Sequence, residues 1–491
     1  MVLAQNDSLH VPVSPDLDEN IRIIKDRLGI GTSFDLGVRE LQLGEKRMAV
    51  FYLNGLTDNG MFVLILNEMM NQAGEALGRD PFQALMAKYA THVQVETRRT
   101  LDEAIDLILT GLFVIIVDGH GEALILDGRM YPNRSPEEPD TERVVRGARD
   151  GFTESIIINT ALTRRRLRDE RLRLEITHIG ERSKTDVALV YLRDVADPGL
   201  VQLIRDRLEK IEVDGLPMAE KSLQEFLIGQ TWNPYPLVRY TERPDVAVQH
   251  LLEGHVLLYV DTSPSIMIMP TTFFHHVQHA EEYRQTPVTG AYLRWVRFIG
   301  IVASIFLLPL WFLYAVEPGM LPDWLSFIGP KNTGKVPLII QILTAEIGLD
   351  LMRMAAVHTP TPLATAMGII AAVLVGDVAI KVGLIGPEVI LYIAFAAIGL
   401  FATPSYELSL ANRLARLLLI LAVFFFKAEG FIVGTTVILI VLVLTRSLNT
   451  PYMWPLMPYN GPALLHVLFR MSVPYTKRRP SIVHPQNTIK N

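Results

Sequence analysis

Phe298–Val316 reads FIGIVASIFLLPLWFLYAV, a stretch without a single charged side chain. As a helix rising ~1.5 Å per residue it is long enough to cross the roughly 30 Å hydrocarbon core of a bilayer. It opens a series of apolar segments that ends at Leu444, whereas the residues before it are studded with charge. The expected architecture is a cytosolic α/β head of two duplicated subdomains followed by an all-α polytopic membrane domain of about five or six helices. The expected divisions are a flexible N-terminus (1–18), subdomain 1 (19–140), subdomain 2 with its charged linker (141–290), the transmembrane domain (291–450) and a cytosolic C-terminal tail (451–491).

The bulk composition averages these unlike parts: 49% apolar, 20% charged, mean hydropathy +0.27. Absence of cysteine excludes disulfides, thiolate nucleophiles and thiolate metal sites. A net charge of −6 gives no reason to expect nucleic acid as a partner. The opening MVLAQNDSLHVPVSPDLDEN has neither a basic start nor an apolar core, so it does not read as a signal peptide and the head is expected to stay in the cytosol.

Two ordered, gapless matches within the head indicate a tandem duplication. Ala49–Ile65 aligns with Ala188–Ile204, sharing Tyr52/Tyr191, Leu53/Leu192, Asp58/Asp197 and Gly60/Gly199. Leu101–Leu126 aligns with Pro244–Met269, sharing Asp102/Asp245, Ala104/Ala247, Gly111/Gly254, Val117/Val260 and Asp118/Asp261. Each copy reads as a strand, an Asp-x-Gly turn, helices, a helix stopped by glycine and a β-hairpin. The first hairpin turns at Asp118–Gly119, and the second is expected to use a longer loop, Asp261-Thr-Ser-Pro264. Gly119-His-Gly121 has no following helix or lysine, so it reads as a turn, not a phosphate loop.

Between the copies lies RSPEEPDTERVVRGARDGFTES (134–155), then a helix expected to include Thr163–Leu174. Arg164, Arg165, Arg166 and Arg168 fit a solvated face or a subunit interface contacting acids of neighbouring copies; anionic lipid headgroups rank third because Asp169 and Glu170 dilute the charge. His275 and His279, in HHVQH with Glu282 following, have ligand types one helical turn apart but no clear third ligand. The preferred reading is a connecting helix whose Phe273, Phe274 and Tyr283 dock on the head. No metal or other cofactor is expected, and no nucleophile-and-base set or paired-carboxylate motif points to an enzyme.

The membrane half divides near 298–316, 337–357, 363–383, 388–402, 414–427 and 431–445. Arg284, Arg294 and Arg297, then Arg413 and Arg416 in the fourth connection, then Arg446 and Lys477–Arg479 all fall on one side, which the positive-inside rule makes cytosolic for both termini. In the second segment Glu346, Asp350 and Arg353 form a polar stripe that must face protein or water. The third carries a small-residue ridge of Ala364, Gly368, Ala372 and Gly376, with Asp377 and Lys381 one turn apart beside it. The ridge permits close helix packing or, together with Val373 and Ile380, the lining of a narrow pore between several copies.

Thr141–Leu167, Ile179–Leu192, Thr241–Asp261 and Glu281–Phe298, with PTPLATAMG (360–368), VGLIGPEVILY (382–392), ATPSYELSLANRLARLL (402–418) and TPYMWPLMP (450–458), resemble the A-subunit family of spore germinant receptors. The resemblance implies the inner membrane of a bacterial spore, two cytosolic α/β subdomains, and a ring-shaped homo-oligomer, with a pentamer as one candidate size, acting as an ion channel in germination alongside other germination membrane proteins. It matches Glu346, Asp350 and Arg353 to polar positions of the family's second membrane segment, Gly376, Ala379 and Gly383 to its third, and Arg413 and Arg416 to its fourth connection. Departures are Asp377 in place of a neutral amide, Thr262 in place of a glycine and Ala148 in place of a proline. A carboxylate ring at Asp377 would favour cations, and Lys381 would counter it. A secondary transporter and a non-conducting membrane scaffold are the alternatives.

Overall fold

The structure, a computed structural model, describes residues 11–43, 46–58, 95–131, 146–229, 232–321, 323–330, 336–358, 378–472 and 476–490, with isolated residues between them. In the first copy, α1 (Leu17–Leu28) precedes β1 (Leu36–Leu43), β2 (Lys46–Leu53) and β3 (Val95–Arg98); α2 (Leu101–Leu109) then leads into the hairpin β4 (Phe113–Val117) and β5 (Ala123–Leu126). Leu17, Ile21, Ile24 and Leu28 recur at helical spacing and are buried, pressing α1 onto Ala49, Phe51 and Leu53 of β2.

The second copy repeats the plan. Here α3 (Ile156–Arg166) precedes β6 (Leu172–Ile179) and β7 (Thr185–Leu192); α4 (Pro198–Glu209), α5 (Ala219–Ile228), β8 (Arg239–Thr241) and α6 (Pro244–Glu253) lead to β9 (Val256–Val260) and β10 (Ile266–Met269). Its sheet is covered by α3 and α6 on one face and by α4 and α5 on the other.

The sheets have equivalent orders, β1-β2-β4-β5-β3 and β6-β7-β9-β10-β8, and equivalent registers. Met48 pairs with Val117 as Val187 pairs with Val260, and Phe113 pairs with Leu126 as Val256 pairs with Met269. Repeated polar contacts fix the same turns. Asp58 and Asp197 accept from Gly60 N and Gly199 N at 2.8 and 2.9 Å. Buried Asn20 and Asn159 clasp the backbones of Ser14 and Thr153, and Asp118 and Asp261 accept from the first amides of α1 and α3. Gly111 and Gly254 take φ of 93° and 105° where their helices stop, conformations that glycine adopts without steric penalty.

Three details differ from expectation. The helix stops at Arg166, and Leu172–Leu174 already belongs to β6, because Leu172, Leu174 and Ile176 alternate with polar residues at the strand period. The second hairpin loop is no longer than the first: residues 261–265 match 118–122, and Thr262 adopts φ 70° where Gly119 adopts 82°. Residues 11–18 are tied down, with Val13 buried and its amide donating to Arg99 O at 2.8 Å.

The copies meet at a buried ion pair. Arg164 Nε donates to Asp35 Oδ2 at 2.9 Å, and its other nitrogens reach the carbonyls of Asp169 and Leu172. Beside it, Phe34 N donates to Leu174 O, and Gly55 sits so close to Ala161 that a Cβ there would come within 2.9 Å of the alanine methyl. Arg164 is therefore withdrawn from any contact with a neighbouring molecule. Arg166 pairs with Asp150, whereas Arg165 and Arg168 lie exposed, Arg165 over the Tyr131 ring.

The chain passes through the short helices α7 (Phe273–Val277) and α8 (Ala280–Arg284) into α9 (Pro287–Val316). Next come α10 (Leu338–His358), a single turn at Ala379–Lys381, α11 (Pro387–Phe401) and α12 (Tyr406–Leu444). By length and composition α9, and α12 counted end to end, are long and apolar enough to cross a membrane. α12 is a hairpin: Lys427 breaks the helix with φ 48° and ψ −127°, and Gly430 and Gly434 of the return limb lie against Ala422 and Leu419. After a short apolar helix, α13 (Gly461–Leu468), the tail returns to the head, where Gln486 binds the carbonyls of Arg193 and Ala196 and buried Val483 covers Gly254.

Replacing Arg164 with Met would leave the Asp35 carboxylate buried and unpaired, a loss of about 3–5 kcal/mol. Hydrogen exchange should show protection of the α3 and β6 amides falling by that amount, and Arg164→Met/Asp35→Leu should recover most of it.

Candidate functional site

Ionisable side chains inside an apolar bundle are costly unless neutralised, so their partners locate whatever the bundle is built to hold. Glu346 and Asp350 lie one turn apart on α10, and Glu346 is buried. Arg413 and Arg416 lie on the first limb of α12, also buried. Arg416 Nη2 donates to Glu346 Oε2 at 2.8 Å, and its Nη1 donates to Ser304 O of α9 at 2.8 Å. Arg413 Nη2 reaches the same Glu346 oxygen at 3.2 Å, and its Nη1 pairs with Asp350. Two carboxylates and two guanidiniums thus close into a formally neutral set joining three helices.

Ser304 lies six residues inside the apolar run, about 9 Å along the helix at ~1.5 Å per residue. At that depth a guanidinium suits the role because its planar donor fork serves a carboxylate and a carbonyl at once, which an ammonium does less well. Arg353 lies outside the set, with its guanidinium 5.4 Å from the Phe401 ring and 5.9 Å from that of Tyr406. α11 packs against α9 where Gly399 meets Gly300; a Cβ on Gly399 would approach the Gly300 carbonyl oxygen to 2.1 Å.

The polar stripe therefore faces protein, within one copy. Arg413 and Arg416 belong to a helix instead of the polar loop expected for the fourth connection, so they give no support to the assignment of the cytosolic side. Of the expected pore lining, Ala364, Gly368, Ala372, Val373, Gly376 and Asp377 lie outside the described residues. Ile380 and Lys381 are described: Ile380 is half-buried and Lys381 is exposed.

The head joins the bundle through a second buried cluster. Glu282 of α8 receives Arg294 Nε of α9 at 2.7 Å and pairs with Arg297. His275 and His279 do not lie on one helix, because Gln278 is extended between α7 and α8. Their Nδ1 atoms accept from the amides of Thr272 and Glu281. The His255 ring centroid lies 5.0 Å from those of both His250 and His275, and His276 is buried beside Tyr452. Burial pushes His255 down to about 4, helped by nearby Arg239 and opposed by Glu253; burial and Arg239 push His276 down to about 3. No signal in HHVQH alone indicates this, since His250, His255 and Arg239 come from other elements.

Residues 22–482 match the family model described as Bacillus/Clostridium GerA spore germination protein. Among curated relatives, Stage V sporulation protein AF of Bacillus subtilis is 54% identical over 96% of each chain. Spore germination protein GerLA of Bacillus cereus is 30% identical over 96% of each chain. Spore germination protein KA of Bacillus subtilis is 29% identical, covering 98% of this chain and 89% of that protein. Among solved structures, the N-terminal domain of the A subunit of the Bacillus megaterium spore germinant receptor GerK3 matches with TM-score 0.43 and 28% identity, covering 54% of this chain and 98% of that one.

Glu346→Ala should lower the stability of the solubilised protein by about 3–5 kcal/mol, because buried Arg416 loses its carboxylate and Arg413 keeps only that of Asp350. Arg416→Lys should melt below the wild type, because an ammonium does not serve Glu346 and Ser304 O with one planar fork. The histidine junction titrates with a definite sign. Its neutral, buried imidazoles bind protons less readily than in the unfolded chain, so their contribution is complete above about pH 6.5 and is lost as pH falls toward 4. Exchange protection of α7 and α8 should be flat from pH 7 to 8 and decline below about 6.5, less steeply in His276→Phe.

Proposed function

Starting from the fact that this chain belongs to the GerA family of spore germination proteins, we propose that it is a multi-pass subunit of the spore inner membrane, with both termini cytosolic. Copies assemble as a ring and conduct ions, cations by preference, during germination. The ring is the homo-oligomer, and other germination membrane proteins are its partners.

The observation that carries this reading is the closed charge set of Glu346, Asp350, Arg413 and Arg416. These four side chains are committed to one another inside one copy and, among the described residues, are not free to line a path through it, so the path proposed here runs between copies. Segment 363–383, with its small-residue ridge and Asp377, is the element whose sequence suits that path. The same closed set also favours a second reading, a membrane scaffold that does not conduct.

Purified protein in potassium-loaded liposomes should release potassium without added partners, and Gly376→Trp and Asp377→Asn should each slow the release. Unchanged efflux in both variants removes segment 363–383 from the path. No efflux from the wild type favours the scaffold, and a solubilised mass of one 55.1 kDa chain excludes the ring.

A further inference from the structure

Residues 456–471, read in sequence as part of a cytosolic tail, carry an apolar surface that the head does not cover. Leu456, Met457, Tyr459, Leu465, Phe469 and Met471 are each between 45% and 75% exposed. The segment is nevertheless held firmly. Arg294 Nη1 of α9 donates to the carbonyls of His466 and Val467 at 3.0 and 2.8 Å, and Arg470 donates to those of Tyr283 and Gln285.

These contacts set its height. The Phe469 ring packs 6.0 Å from that of Trp295, three residues before the apolar run begins at Phe298. Three residues of helix rise about 4.5 Å, which places Phe469 at the level where hydrocarbon gives way to headgroups. The same end of α9 exposes Val288, Tyr292, Trp295 and Ile299, spaced by four, three and four residues along one face. That face runs on into Val302 of the apolar run. Tyr and Trp are enriched at this depth because an apolar ring with a polar tip suits the boundary.

We infer that residues 456–471 form an in-plane membrane anchor, with α13 and its flanks seated in the head-side leaflet beside the first turns of α9. The occupant of this surface is lipid, because the apolar face is continuous with the one α9 presents within its membrane-crossing length. The inference rests on the membrane reading of α9. It gives the bundle a collar that fixes its depth and brings the chain back toward the head for the tail contacts at Arg193 and Ala196.

The chain contains no cysteine, so single labels can be placed without removing any. Nitroxides at Leu465→Cys and Phe469→Cys, in the full-length protein in phosphatidylcholine–phosphatidylglycerol vesicles, would be compared by collision with oxygen and with a water-soluble nickel complex. Val302→Cys, within the apolar run, is the lipid reference, and Arg182→Cys, on the exposed β6–β7 turn, is the aqueous one. Oxygen-to-nickel ratios at 465 and 469 severalfold above that at 182 support the anchor. Ratios equal to that at 182, with 302 lipid-like, overturn the anchor alone. An aqueous ratio at 302 overturns the membrane reading as well. Dipolar broadening between labels at 465 assigns the surface to a second copy and overturns the lipid assignment.

Discussion

A guanidinium held several ångströms inside an apolar bundle leaves the surrounding helices little freedom. Arg416 requires a carboxylate and a carbonyl within its own reach, and it finds Glu346 on α10 and Ser304 O on α9. Meeting both requirements fixes how deeply α12 sits against two other helices, and the contact of Arg413 with Glu346 and Asp350 fixes its rotation. Ridge packing of Leu and Ile side chains tolerates sliding far better than this pairing does. Replacing such a network by apolar residues need not weaken a fold, so its role is better understood as selecting one arrangement among several oily ones.

The same device recurs at each joint of the molecule. Asp35–Arg164 links the two α/β copies, Glu282–Arg294 links the head to α9, and Glu346–Arg416 links the bundle helices. In each pair both side chains are almost wholly buried, and the arginine also binds backbone carbonyls of a neighbouring segment. Removing one partner leaves an uncompensated buried charge, so each joint either keeps its geometry or opens at high cost. The Glu282–Arg294 pair therefore fixes α8 of the head junction against α9.

The duplication was legible because its matches are gapless: constant offsets of 139 and 143 residues between aligned positions carry both the sequence and the strand register across the copies. The Asp-x-Gly turns and glycine stops followed from local chemistry. The edge strand β1 did not, since Arg39-Glu40 interrupts the alternation of LGVRELQL, and the start of β6, although it alternates at the strand period, was hidden because the arginines before it extend a helical pattern past its real end at Arg166. The polar stripe on α10 was visible in its spacing, but its partners were not. Asn412, Arg413 and Arg416 look like a loop among apolar segments, whereas Ser405 capping Leu408 N shows that the helix has already begun. A cap followed by arginines three residues apart could have flagged a buried pair. Identifying Glu346, about seventy residues upstream, requires the fold.

Closing Glu346, Asp350, Arg413 and Arg416 within one copy also divides the work among the helices. α10 and the first limb of α12 share the ion pairs, α9 supplies the Ser304 carbonyl to Arg416, and the three serve as the frame. The return limb of α12 contributes no member to that set and exposes Ile432, Val433, Val437 and Ile440 outward. It is joined to the frame through the hairpin at Lys427, whose ammonium pairs with Glu317 at the end of α9, and through close packing against Leu419 and Ala422. In an assembly of copies, an outward apolar limb can meet lipid or a neighbouring subunit without disturbing any buried charge. Contacts between copies at that limb would leave the buried charge set untouched, which is what the proposed path between subunits would need if it is to open and close.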